Sequence, residues 1–136
     1  MTAINGVNIR VLVVDDHKIM RSLIVRMLNA IGIKDIVEAA NGEEAMNLLL
    51  KEGETEIELI ISDLHMDKMD GSEFCHRIRK SKEIKNPNIP IVVLTGEKDD
   101  MVLEVVRQVG ADMVLQKPLT PNQLRECIEA SIGIKF

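Results

Sequence analysis

Aromatic side chains are nearly missing from this sequence: there is no Trp, no Tyr, and only Phe74 and Phe136. Stacking platforms for single-stranded nucleic acid and aromatic sandwiches for a flavin have almost nothing to be made from. Positive charge is not in excess either, with 17 Lys and Arg against 22 Asp and Glu and a formal net charge of −5. Surfaces that grip phosphate backbones or anionic lipid are therefore disfavoured, and direct nucleic-acid or membrane partners are not expected. Cys75 and Cys127 stand far apart, without a CxxC pair, a metal-ligand spacing or a disulfide framework. Free thiols in a reducing compartment follow as the default. No stretch approaches the roughly 18 apolar residues of a membrane span, and MTAINGVNIR lacks a basic region followed by an apolar one. These absences predict a soluble, cytoplasmic protein.

What is present is the balance of a globular chain: 136 residues, 46% hydrophobic and 29% charged. That length suits one domain over residues 1–136, able to bury roughly two thirds of its unfolded surface. Short continuous apolar runs occur at Ile9–Val14, Ile36–Ala39, Ile57–Ile61, Ile89–Leu94 and Met113–Leu115. Lacking polar alternation, they read as strands covered on both faces. Helix-period segments separate them. One aligns Ile19, Met20, Leu23, Ile24, Met27, Leu28 and Ile31 against Lys18, Arg21, Ser22 and Arg26; another aligns Val102, Val105, Val106 and Val109 before Gly110. Asn41, Asp70 and Thr120 stand where N-caps belong, and Thr120-Pro121-Asn122-Gln123 has the full pattern of a capping box. The methionines fall mostly on apolar positions and read as core filler.

Five strands alternating with five helices predict an α/β fold: a doubly wound, flavodoxin-like parallel sheet of order 2-1-3-4-5. Function in such a sheet is expected beyond the carboxyl ends of the strands, beside the switch point between the first and third. There the sequence places Asp15-Asp16-His17, Ser62-Asp63-Leu64-His65, Thr95-Gly96-Glu97 and Gln116-Lys117-Pro118.

Three carboxylates at one rim are costly. At about 5 Å and an effective dielectric of about 20, each like-charge pair costs roughly 3 kcal/mol, so a cation is expected among them. Few hard oxygen ligands with room for waters favour Mg²⁺ over Zn²⁺ or a Ca²⁺ cage, and His17, His65 and His76 lack zinc spacing. One of Asp15 and Asp16 could be only a helix cap. Lys117 could likewise be only a salt-bridge partner of Asp63. Together with the metal and the Thr95 hydroxyl, however, Lys117 forms a seat for a phosphoryl group, and Asp63 is the best candidate for a covalent acceptor. A flavodoxin-type nucleotide pocket fails because Asp15 and Asp16 would repel the phosphate. A phosphatase of the DxDx[TV] kind fails because Asp63 and Asp67 are four residues apart. His17 reads as a solvated helix-start residue.

The pieces Val13-Val14-Asp15-Asp16, Ile60-Ile61-Ser62-Asp63 with Met66 and Met69-Asp70-Gly71, Leu94-Thr95-Gly96 and Lys117-Pro118 occur in that order. In them the chain resembles the receiver domain of two-component response regulators over essentially its full length, and most of all the stand-alone, chemotaxis-type members. The resemblance implies that Asp63 accepts a phosphoryl group from the phosphohistidine of a histidine kinase or phosphotransfer protein. It implies that Asp16 binds Mg²⁺ directly, Asp15 through water, and the His65 backbone carbonyl completes the protein's share. Thr95 and Lys117 would contact the phosphoryl group, the Lys117-Pro118 peptide would be cis, and an unidentified protein target would read the change. A receiver-like docking module that is never phosphorylated is the alternative. Three positions depart from the family pattern: Val114 where a switch aromatic is common, Asp67 in place of a proline, and Leu119 where phenylalanine often follows. Asp67 is expected to add charge and flexibility beside the site.

Overall fold

The computed structural model describes residues 8–51 and 56–133. Most of the N-terminal stretch MTAINGVNIR, expected to carry no leader, lies outside them, as does Phe136. The chain alternates strand and helix throughout: β1 (Arg10–Val14), α1 (Lys18–Ala30), β2 (Asp35–Ala39), α2 (Gly42–Leu50), β3 (Leu59–Asp63), α3 (Gly71–Lys80), β4 (Ile91–Thr95), α4 (Asp100–Gln108), β5 (Met113–Gln116) and α5 (Pro121–Ile132). All pairings are parallel and the sheet order is β2-β1-β3-β4-β5, as the alternation of runs predicts.

Each central strand feeds two cores because successive side chains leave opposite faces. Leu12, Val14, Ile60, Ile91 and Val93 pack on one side with Ala45, Phe74, Ile78 and Val106, under α2, α3 and α4. Val11, Val13, Leu59, Ile61, Val92 and Leu94 pack on the other with Ile24, Leu28, Leu124 and Ile128, under α1 and α5. Strands β3 and β4 are buried at every position. β3 begins two residues later than its apolar run and ends on Asp63 itself, so the acid belongs to the strand.

The caps behave as their chemistry dictates. Asn41 accepts from the Glu44 N–H and Asp70 from the Glu73 N–H, both at 2.8 Å. Thr120 and Gln123 form the reciprocal box, at 3.1 and 2.8 Å. Gly110 follows α4 with φ +130°, a value open to glycine.

Two helical stripes are narrower than their periodicity suggests. In α1 only Ile24 and Leu28 are buried, while Ile19 is 84% and Leu23 41% exposed. These two sit on the rim of the stripe, beyond reach of the sheet. Arg21, assigned to the solvent side, instead folds back and donates to the Asp15 carbonyl (2.7 Å) and to Glu38 (3.0 Å). In α4 the buried pair is Leu103 and Val106; Val105 is exposed, and so is Met101, which is therefore not core filler.

One device has no counterpart in the sequence reading. The Arg79 guanidinium, at the end of α3, donates to the carbonyls of Pro87, Ile89 and Gly110 and to the Asp112 carboxylate, at 2.7–3.0 Å. Asp112 also accepts from the Ile91 N–H at 2.8 Å. This knot pins the long polar connection before β4 and the turn before β5 to one helix end.

Candidate active site at the strand ends

The register carries the acids to one edge. Val14 pairs with Ser62 and Asp63 with Leu94, so β1 delivers Asp15 and Asp16 beside the end of β3, and β4 delivers Thr95 on the other side. Carboxylate oxygens of Asp15, Asp16 and Asp63 and a ring nitrogen of His17 all lie within 4.8 Å of one another. Lys117, following β5, reaches over with its ammonium 3.2 Å from Asp63 Oδ1 and 3.9 Å from Asp15 Oδ2.

Each acid is held differently. Asp15 has no exposed surface; its Oδ1 accepts from the His17 N–H at 2.8 Å, and its Oδ2 has no hydrogen bond. Burial pushes its carboxyl above the usual range and the Asp63 charge adds to that, against the opposing pull of the His17 N–H and Lys117. Asp63 is 6% exposed, and its Oδ1 accepts from the Leu64 N–H at 2.9 Å and from Lys117. Asp16 Oδ2 accepts from the Asp67 N–H at 3.0 Å, while its Oδ1 is buried without a hydrogen bond. That bond needs a residue other than proline at 67. Asp67 therefore ties the loop after β3 to the loop after β1, where added flexibility was expected. The neighbouring Lys68 carries the turn with φ +72°.

Thr95 is fully buried, and its Oγ1 accepts from the Glu97 N–H at 2.9 Å. The hydroxyl proton stays available for an acceptor at the rim. His65 presents its side chain to Glu97, Nε2 to Oε1 at 3.3 Å, across the mouth of the site. The Lys117–Pro118 peptide is cis. Beneath the floor, Gly71 lies so close to β3 that a Cβ there would sit 2.6 Å from the Asp63 carbonyl oxygen. Val114, on β5, is partly buried against the α2–α4 core.

Two orphaned carboxylate oxygens among three acids leave negative charge that the protein's own donors do not satisfy. A donor set of hard oxygens with that deficit fits a divalent cation. The grouping of Asp15, Asp16, Asp63 and Lys117 is what the strand ends predict. The approach of His17 is not; an imidazole next to two aspartates was the available signal.

A family sequence model described as the response regulator receiver domain matches residues 11–129. The chain belongs to that family. The receiver is 34% identical over 125 residues to the probable chemotaxis protein CheY of Rhizobium etli, covering 92% of this chain and 93% of that protein. Chemotaxis protein CheY4 of Vibrio cholerae superposes with a TM-score of 0.78 at 31% identity, over 90% of this chain and 98% of that one. The receiver domain of sensor histidine kinase PA1611 from Pseudomonas aeruginosa gives 0.80 at 23% identity, over 93% and 99%, and was solved with a magnesium ion in its active-site cleft. This receiver is a CheY-like, phosphoryl-accepting switch of two-component signalling. No helix among its described residues is long and apolar enough to cross a membrane.

Proposed function

We propose that Asp63 is the phosphoacceptor and that residues 1–136 form a single cytoplasmic receiver domain. The single observation that carries this reading is the position of Asp63, ending the central strand between the orphaned oxygens of Asp15 and Asp16 and the ammonium of Lys117. Asp63 Oδ1 already accepts from Leu64 and Lys117, which leaves Oδ2 to attack phosphorus. The P–N bond of the donor phosphohistidine breaks as the new O–P bond forms, and the electron pair leaves with the imidazole.

Asp16 and Asp63 would hold Mg²⁺ directly, Asp15 through water, and the His65 carbonyl would complete the set. Bound there, Mg²⁺ supplies positive charge to the transferring phosphoryl oxygens. Lys117 neutralises another oxygen, and the Thr95 hydroxyl donates to a third once the added −1.5 to −2 or so of charge draws it inward. The movement of Thr95 carries Glu97, whose N–H it holds, and so biases the loop before α4. With Val114 in the aromatic position no ring swings, and that loop is the readout. The donor is a histidine kinase or phosphotransfer protein, and the receiver of the signal is another protein. A constitutive docking module would not need to bear the mutual repulsion of three clustered acids.

Beryllofluoride or acetyl phosphate with and without Mg²⁺, followed by NMR and intact mass, tests this directly. A Mg²⁺-dependent mass gain and shifts around Thr95 and Glu97, both abolished in Asp63→Asn, are expected. An unresponsive wild-type chain would favour the docking module.

A further inference from the structure

The acidic seat contains a nitrogen that an oxygen-only site leaves unused. His17 occupies the N-cap position of α1, yet its side chain makes no capping hydrogen bond. Its Nδ1 lies instead 2.9 Å from Asp16 Oδ1 and 3.5 Å from Asp15 Oδ1. The approach to Asp16 Oδ1 is close without hydrogen-bond geometry, since that oxygen has no hydrogen-bond partner. Two donors each about 2.1 Å from one ion, at right angles, are about 3 Å apart. The separation of Nδ1 and Asp16 Oδ1 is thus that of neighbouring corners of one coordination shell. A second, independent pointer is Asp15: its side chain is wholly buried, and its Oδ2, 3.9 Å from the Lys117 ammonium, accepts no hydrogen bond.

We propose that His17 is a further protein ligand of this seat and turns its preference from magnesium toward first-row transition ions such as Mn²⁺ and Co²⁺. The proposal rests on the metal seat described under the proposed function. Its chemical basis is ligand softness. Magnesium takes oxygen ligands and gives up its waters reluctantly, whereas imidazole suits transition ions, whose affinity rises along the series from Mn²⁺. The His17 side chain is 69% exposed, so the ring meets an ion arriving from solvent without movement of the buried acids. The absence of zinc-like spacing among the three histidines does not bear on this set, because its other donors are carboxylates: Asp15 and Asp16 beside His17 in the chain, and Asp63 brought in by the fold.

Calorimetric titration of the full chain with Mg²⁺ and, separately, with Co²⁺ tests it, in the wild type and in His17→Gln. NMR of the imidazole protons locates the Co²⁺. In the variant, Co²⁺ affinity falls by about tenfold or more while Mg²⁺ affinity stays within about twofold, and in the wild type the paramagnetically shifted ring protons belong to His17. Equal losses for both ions would show a ring that only orients Asp16, and would overturn the proposal. So would an unchanged ratio of the two affinities, or shifted protons on His65 or His76 instead. If neither ion binds, the metal seat itself falls and the proposal with it, a result distinct from Mg²⁺ binding with an unchanged ratio.

Discussion

Asp15 is a charged group stored where charge is expensive. Its folded pKa lies above that of the unfolded chain because of burial first and Asp63 second. The unfolded chain therefore ionises more readily, and at neutral pH the ionised acid costs the fold stability, a cost that is full above the folded pKa and is relieved as pH falls through it toward the unfolded value. Metal-free Asp15→Asn should accordingly melt higher than wild type at neutral pH, with the gap closing in mild acid. Added Mg²⁺ should raise the wild-type melting temperature more than the variant's. The thiols show the same effect without function. Burial pushes Cys75 up to about 12 and Cys127 up to about 11, so native protein at pH 8 should resist a thiol-specific reagent until it is unfolded. The gathering of the acids and Lys117 was legible in the sequence because they directly follow, or end, apolar runs that must be parallel strands. The turn of the His17 ring and the bond from the Asp67 N–H were not, since each depends on a local conformation that residue types leave open.

At the level of elements, strands were easier to read than helix faces. A strand buried on both sides is a continuous apolar run, whereas a helix covers the sheet with a stripe whose width depends on its neighbours. Ile19 and Val105 fit the period and still face water. Arg79 is the converse case. An arginine in the last turn of a helix reads as a solvated, dipole-complementing charge, yet here it satisfies three backbone carbonyls from two other segments. Arg79→Met keeps the stem and removes the donors, leaving those carbonyls and Asp112 short of partners. A loss of about 2–3 kcal/mol in urea unfolding is expected, with hydrogen exchange rising first around 84–91 and 110–112.

For the whole molecule, the sheet is the shared wall of two cores, so neither layer can melt while the other persists. Leu12 faces one and Ile61 the other. Leu12→Ala and Ile61→Ala should each cost about 2–5 kcal/mol, and in each variant far-UV circular dichroism and NMR peak loss should report one coincident transition. Separate midpoints for the two layers would contradict this. The join between the loops after β1 and β3 bears on how the switch can be watched. A backbone proton sits at position 67 where the family's usual proline has none, and it is donated to Asp16 Oδ2. Its resonance is a built-in indicator lamp: any ligand that tugs on Asp16 will shift it, so occupancy of the seat can be followed in solution without attaching a dye.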